Sequence, residues 1–149
     1  MTKSEGMTKP EIARDAEMRF WRDGDAPVLR EEPKETRTYD LEERTARFGE
    51  AVIDFVRTIP QDAVTNRLIG QLVGAATSVG ANYLEADDAV SKKEFLKNIG
   101  MCRKESRETK HFLRMIVRAV PDSKPRARVL WAEARELNLI FPRIWRNGK

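Results

Sequence analysis

Thr77 to Leu113 reads TSVGANYLEADDAVSKKEFLKNIGMCRKESRETKHFL, and this stretch decides the fold. It reads as the end of one long helix, an acidic turn, and most of a second long helix packed back on the first. Asp87-Asp88-Ala89-Val90 is the turn, and Ser91 with Glu94 has the spacing of a capping box. Beyond it Phe95, Ile99, Cys102, Ser106, Thr109, Leu113, Ile116 and Val120 recur at intervals of 4, 3, 4, 3, 4, 3, 4. That is a heptad seam, which favours antiparallel helices crossing at a shallow angle. Ser106 and Thr109 lie within the seam, so their hydroxyls are expected to bond backbone or a partner side chain.

Before the turn, Leu68, Leu72, Ala75, Val79, Tyr83 and Ala86 define an inward face. A second line of small residues runs beside it: Gly70, Gly74, Ser78 and Gly80 among Ala75, Ala76 and Ala81. Each glycine inside a helix costs roughly 1 kcal/mol relative to alanine. A cluster of them predicts either close approach of a neighbouring helix or a locally weak one.

Working outward, no proline occurs between Pro60 and Pro121, which leaves room for these two helices. The first of them should run from Asp62, its cap, to Ala86. An earlier helix starts at Asp40, where Asp40 and Glu43 have capping-box spacing. It carries Leu41, Phe48, Val52, Phe55 and Ile59 on one face and stops at Pro60. A later helix follows the break Pro121-Asp122-Ser123-Lys124-Pro125, with Ser123 as the expected cap. Leu130, Ala134, Leu137, Phe141 and Ile144 form its seam, and Pro142 should kink or fray it. Trp131 and Trp145 fall off that seam. The expected fold is therefore all-α: an antiparallel up-down-up-down four-helix bundle over residues 39–149.

Residues 1–38 differ from the rest. They hold Pro10, Pro27, Pro33 and the breaker run Asp23-Gly24-Asp25. They read as a flexible or weakly helical N-terminal extension. Thr8 to Trp21 has the makings of one weak helix, with Thr8 as N-cap and Glu11 three residues on. Its apolar residues Ile12, Ala16, Phe20 and Trp21 are candidates for docking.

The net charge of +4 hides an asymmetry. Up to Val90 there are 12 Lys+Arg against 18 Asp+Glu, or −6; from Ser91 onward 16 against 6, or +10. A basic second half suits an anionic partner or an acidic neighbouring subunit. Cys102 is the single cysteine, so no intrachain disulfide forms and a reducing, cytoplasmic setting is expected. No apolar run approaches the roughly 20 residues of a membrane span, and the first residues lack the apolar core of a secretory signal.

Gln71-Leu72, Ser78, Asn82-Tyr83, Glu85-Ala86, Ser91-Lys92-Lys93, Phe95 and Lys104-Glu105 to Glu108-Thr109 together carry a family pattern. The chain resembles the bacterial four helix bundle proteins, also known as the 23S ribosomal RNA intervening-sequence proteins. The likeness extends more loosely from Thr38 to about Trp145 and leaves out residues 1–37. It implies an antiparallel four-helix bundle that assembles as a homopentamer, with no enzymatic activity and no cofactor. A distant class of the same kind serves reverse transcriptases as an RNA-binding pentamer, and the signatures of that class are lacking here. Gly74 stands where the family often has a basic residue, which removes one potential nucleic-acid contact.

The remaining chemistry is sparse. Di-metal carboxylate bundles need Glu-x-x-His pairs on facing helices; Glu108-x-x-His111 occurs once, and His111 is the only histidine. Cys102 sits in the seam with no base beside it and reads as a small buried hydrophobe. No phosphate-binding glycine loop and no nucleophile elbow occurs. Ser78, Asn82, Tyr83, Glu85, Glu105 and Glu108 are polar residues near apolar seams, expected to fix register between helices or subunits. What is left is a basic stripe: Lys93, Lys97, Lys104, Arg107, His111, Arg114 and Arg118 at helical spacing, flanked by Arg103 and Lys110. The last helix adds Arg126, Arg128, Arg135, Arg143 and Arg146. Such a face either neutralises phosphates of RNA or DNA or is a solvated surface paired with the acids Glu42, Glu43, Glu50 and Asp54. The function expected is a non-enzymatic homo-oligomeric scaffold binding nucleic acid through that face. The alternative is an adaptor that recruits a protein partner through its N-terminal arm.

Overall fold

The computed structural model describes residues 6–22 and 40–148. Residues 1–5, 23–39 and 149 lie outside this set, and with them most of the expected N-terminal extension. Among the described residues there are five α-helices and no strand. They are α1 (Lys9–Arg22), α2 (Leu41–Val56), α3 (Ala63–Asp87), α4 (Lys92–Ala119) and α5 (Lys124–Gly148), with a 3-10 turn at Pro121–Ser123. The long helices pack in a cycle: α3 lies against α2 and α4, α4 against α3 and α5, and α5 returns to α2.

Helices α2, α3 and α4 start where the sequence supplies a cap; Ser123, expected to cap α5, instead closes the 3-10 turn and donates its hydroxyl to the Val120 carbonyl at 2.6 Å. Asp40 adopts a left-handed conformation, φ 51°, and its carboxylate accepts the Glu43 N–H. Asp62 accepts the N–H groups of Val64 and Thr65, while the Thr65 hydroxyl accepts the N–H of Asp62 and donates to the Pro60 carbonyl. The cap at Asp62 was expected; its reciprocal partner Thr65 was not. Ser91 accepts the Glu94 N–H. Helix α2 ends earlier than its apolar period suggests. Pro60 disfavours helical geometry at Ile59, and Thr58 and Ile59 turn back onto the carbonyls of Phe55 and Val56. Ile59 still enters the core.

The predicted seams are the core. Leu72, Ala75, Val79 and Ala86 of α3 are buried, as are Ile99, Cys102, Ser106, Thr109, Leu113 and Ile116 of α4 and Leu130, Ala134, Leu137 and Phe141 of α5. Ser106 and Thr109 donate back to the carbonyls of Cys102 and Glu105, each at 2.8 Å, so neither hydroxyl is left unmet. The small residues divide. A methyl at Gly80 would lie 3.3 Å from the Thr45 hydroxyl, so α2 crosses α3 there in close contact. Gly70 and Gly74 meet nothing within 4 Å and face outward. Arg44 of α2 closes the cycle by forking onto Glu133 of α5 through Nε at 2.9 Å and Nη2 at 2.6 Å.

Two expectations change. Pro142, expected to kink or fray α5, lies inside a helix that continues to Gly148, so α5 does not fray there. The last turn is held by packing, since a Cβ at Gly148 would sit 3.2 Å from Leu96 at the start of α4. Trp131, off the seam, is nonetheless buried. Its cover is α1, the helix suspected at Thr8–Trp21, capped by reciprocal bonds between Thr8 and Glu11. Trp21 stacks on Trp131 with centroids 5.3 Å apart and planes 18° from parallel.

Truncating Leu72 to alanine is expected to cost about 2–5 kcal/mol in urea denaturation. In the isolated chain Gly74→Ala should raise stability by up to about 1 kcal/mol, because within the chain it gains helix propensity without meeting a neighbour. A loss at Gly74 would mean that something packs against this outward face.

Candidate nucleic-acid interface

The α4 seam faces α3 and α5, so helical geometry turns the opposite side of α4 to water. Lys93, Lys97, Lys104, Arg107, Arg114 and Arg118 all stand exposed on that side. Lys93 to Arg118 spans about 38 Å at 1.5 Å per residue. His111 lies in the same stripe, exposed, with its ring edge-on to Phe112 at 5.2 Å. Arg126 of α5 is exposed as well. Arg128 is not: it is 5% exposed, and its guanidinium is part of the protein interior. As a direct phosphate contact it is withdrawn.

The acids offered as partners of the stripe lie elsewhere. Helix α2 packs on α3 and α5, and Glu43 pairs with Arg47 of its own helix at 3.0 Å. Among the described residues the one ion pair made by the stripe's flank comes from α1, where Glu17 meets Lys110 at 3.4 Å. The same carboxylate accepts the Trp131 indole N–H at 2.8 Å. Next to it the Phe20 ring lies between two cations, 4.7 Å from the Arg114 guanidinium carbon and 4.9 Å from Lys124 Nζ. Docking by Phe20 and Trp21 was expected; its place, on Trp131 with Glu17 beside it, was not. Its signal was present in the sequence as a tryptophan on α5 pointing away from the seam, which needs a cover, and an aromatic pair ending an otherwise polar helix.

The polar residues singled out for register sit as follows. Asn82 donates to the Ser78 carbonyl of its own helix at 2.8 Å, so this amide group is used within α3. Tyr83 is half-buried against Phe141, ring centroids 6.5 Å apart. Burial, followed by the charge of Asp87, pushes its phenol up. Glu85 is exposed and borders a shallow depression of about 370 Å³ with Glu42, Leu84, Asp87 and Asp88. Glu105 and Glu108 are half-buried one turn apart on α4.

The thiol of Cys102 is fully buried, lies 3.5 Å from the Val79 carbonyl, and is pushed up to about 12 by burial. It stays protonated at neutral pH and is no nucleophile. Among the described residues no group of three or more His, Cys, Asp or Glu side chains is placed to hold a metal ion. No described helix is long and apolar enough to cross a membrane.

Comparison with known proteins agrees with this architecture. The model of the 23S rRNA-intervening sequence protein family matches residues 37–140. A crystal structure of a protein with unknown function from the S23 ribosomal protein family of Bacteroides thetaiotaomicron superposes with a TM-score of 0.63. The two chains are 19% identical, and the match covers 70% of this chain and 96% of that one. No curated protein matches the sequence.

Glu105 yields a pH test. Burial and then the Glu108 charge raise its carboxyl above the usual range, against the opposing pull of Lys104. A raised folded pKa means the ionised form is penalised. The penalty is absent below the unfolded carboxylate range and sets in as pH rises through the folded pKa. Glu105→Gln is therefore expected to raise the melting temperature at neutral pH, with the gain shrinking as the solution is acidified. An unchanged melting temperature at neutral pH would contradict this.

Proposed function

This chain belongs to the 23S rRNA-intervening sequence protein family, and from that premise we propose that it is a non-enzymatic, self-assembling scaffold that holds RNA or DNA on its basic face. In this reading the four long helices run up-down-up-down, the assembly is a homopentamer in a cytoplasmic setting, and α4 with Arg126 of α5 supplies the phosphate contacts.

The observation that carries the proposal is the stripe from Lys93 to Arg118: exposed cations along about 38 Å of one helix, turned away from the acids of α2. Cations so arranged neutralise phosphates without reading bases. Self-assembly draws support from the outer side of α3. Gly70, Gly74, Thr77, Ala81 and Leu84 recur there at intervals of 4, 3, 4, 3 and are all exposed. Thr77 of this second heptad line borders Gly49 of α2, whereas Gly70 and Gly74 meet nothing within 4 Å, and Val64 and Val90 near the ends of α3 are exposed at 61% and 93%. The acidic rim at Glu42, Glu85, Asp87 and Asp88 offers a counter-charge to a neighbour's basic residues. Repetition around a ring multiplies a weak phosphate affinity by avidity. The adaptor reading requires α1 to leave its seat, because Phe20 and Trp21 at its aromatic end are engaged within the chain.

Fluorescence anisotropy with a labelled RNA tests the binding. Affinity should fall steeply with salt, and each phosphate contact removed should reduce the log–log slope by about 0.7 for a single strand. Reversing Lys97, Lys104 and Arg107 to glutamate should weaken binding at least about tenfold, in keeping with the loss of several such contacts. Absence of binding at low salt, or binding with no salt slope, would overturn the nucleic-acid role. Light scattering that reports the mass of one chain would overturn the assembly.

A further inference from the structure

We infer that α1 is a displaceable cover over a base-stacking site for single-stranded nucleic acid, formed by Trp131 of α5 with Lys110 and Arg114 of α4 and Lys124 of α5. The inference rests on the nucleic-acid reading above and gives it a specific place. Three features of the α1 contact carry it.

The first is chemical. Single-stranded nucleic acid is held by aromatic rings on which bases stack, combined with cations that follow the backbone. The surface beneath α1 has both. Trp131 presents a ring face; Lys110 shares the Glu17 carboxylate with the Trp131 N–H, and Arg114, itself part of the exposed stripe, and Lys124 lie over Phe20, the neighbour of the stacked Trp21. The second is what α1 places there. The Trp21 indole lies on Trp131 at 5.3 Å and 18° from parallel, as a base would. The Glu17 carboxylate sits between the Trp131 N–H and Lys110, where a phosphate oxygen would find the same two donors. Phe20 fills the space between Arg114 and Lys124 as a second flat ring. One anion and two rings are the elements of a short nucleotide segment.

The third is that the docked state is poorly secured. Helix α1 has 14 residues and buries only Trp21, and a helix of that length is marginal without packing. Among the described residues the buried Trp21 indole N–H has no hydrogen-bond partner, so docking leaves a donor unmet there and exchange for a ligand relieves it. α1 also lies outside the residues matched by the family, 37–140. The cover is thus an addition to the fold, seated on a surface that the fold supplies.

The test uses the full chain, a fluorescein-labelled oligouridylate and, as a polyanion without bases, inorganic polyphosphate. Trp21→Ala should tighten oligouridylate binding at least about fivefold, the low end of what one base stacked on an aromatic ring contributes. Adding Trp131→Ala should abolish that gain, and polyphosphate binding should be insensitive to Trp131→Ala. If Trp21→Ala loses helical circular dichroism, Glu17→Gln, which weakens the same contact, takes its place in the comparison. Equal oligouridylate affinity in the opened variant and the parent, or a gain that survives Trp131→Ala, overturns the inference and leaves the exposed stripe as the binding surface. No binding by parent or variants overturns the inference together with the nucleic-acid reading.

Discussion

The structure depends on α4 being packed from two sides at once. Its seam must fill the space between α3 and α5, so it has to be narrow, regular and free of unmet polar groups. Ile99, Leu113 and Ile116 provide the bulk; Cys102, Ser106 and Thr109 are smaller, and Cys102 meets the Val79 carbonyl of α3. The two hydroxyls bond carbonyls of their own helix, which lets polar side chains sit in an apolar seam without a partner across it. Because one side of α4 is committed to both neighbours, the opposite side is left to water except where α1 borders it at Lys110 and Arg114. The basic stripe is the outer consequence of that inner constraint.

Heptad spacing made most of this readable from residues alone. A seam of eight positions at strict 4 and 3 intervals fits the period of a packed helix and not the alternation of a strand, and prolines at 60 and 121 bounded the helices between them. Caps at Asp40, Asp62 and Ser91 followed from residue type. The misreadings have a common source. Arg128 has the identity of a surface residue, and only the packing of α5 shows that it is interior. Trp131 has the position of a surface residue and is covered by a helix more than a hundred residues earlier in the chain. Periodicity describes one helix at a time, and both residues are decided by contacts between elements far apart in sequence. The end of α5 is a similar case: Pro142 removes one hydrogen-bond donor, yet the helix runs on to Gly148, which lies close to Leu96.

The charge asymmetry of the sequence acquires a geometry in the fold. Acidic residues gather at Glu42, Glu85, Asp87 and Asp88 around the junction of α2 and α3, while the cations line α4. The contact that brings α1 into play uses little charge, one carboxylate and two cation–ring approaches, and mostly flat aromatic area. Salt screens the exposed stripe far more than it screens such stacked contacts. Ionic strength therefore acts unequally on the two parts of the basic surface.

The stacked indoles of Trp21 and Trp131 also make the protein spectroscopically self-labelled. Two indoles this close and this nearly parallel couple their electronic transitions, and the third tryptophan, Trp145, lies fourteen residues beyond Trp131 on α5. Undocking α1 uncouples the pair and exposes both rings to water. Near-ultraviolet circular dichroism and intrinsic emission thus read the position of one helix in the unmodified chain, against Trp145 as an internal background.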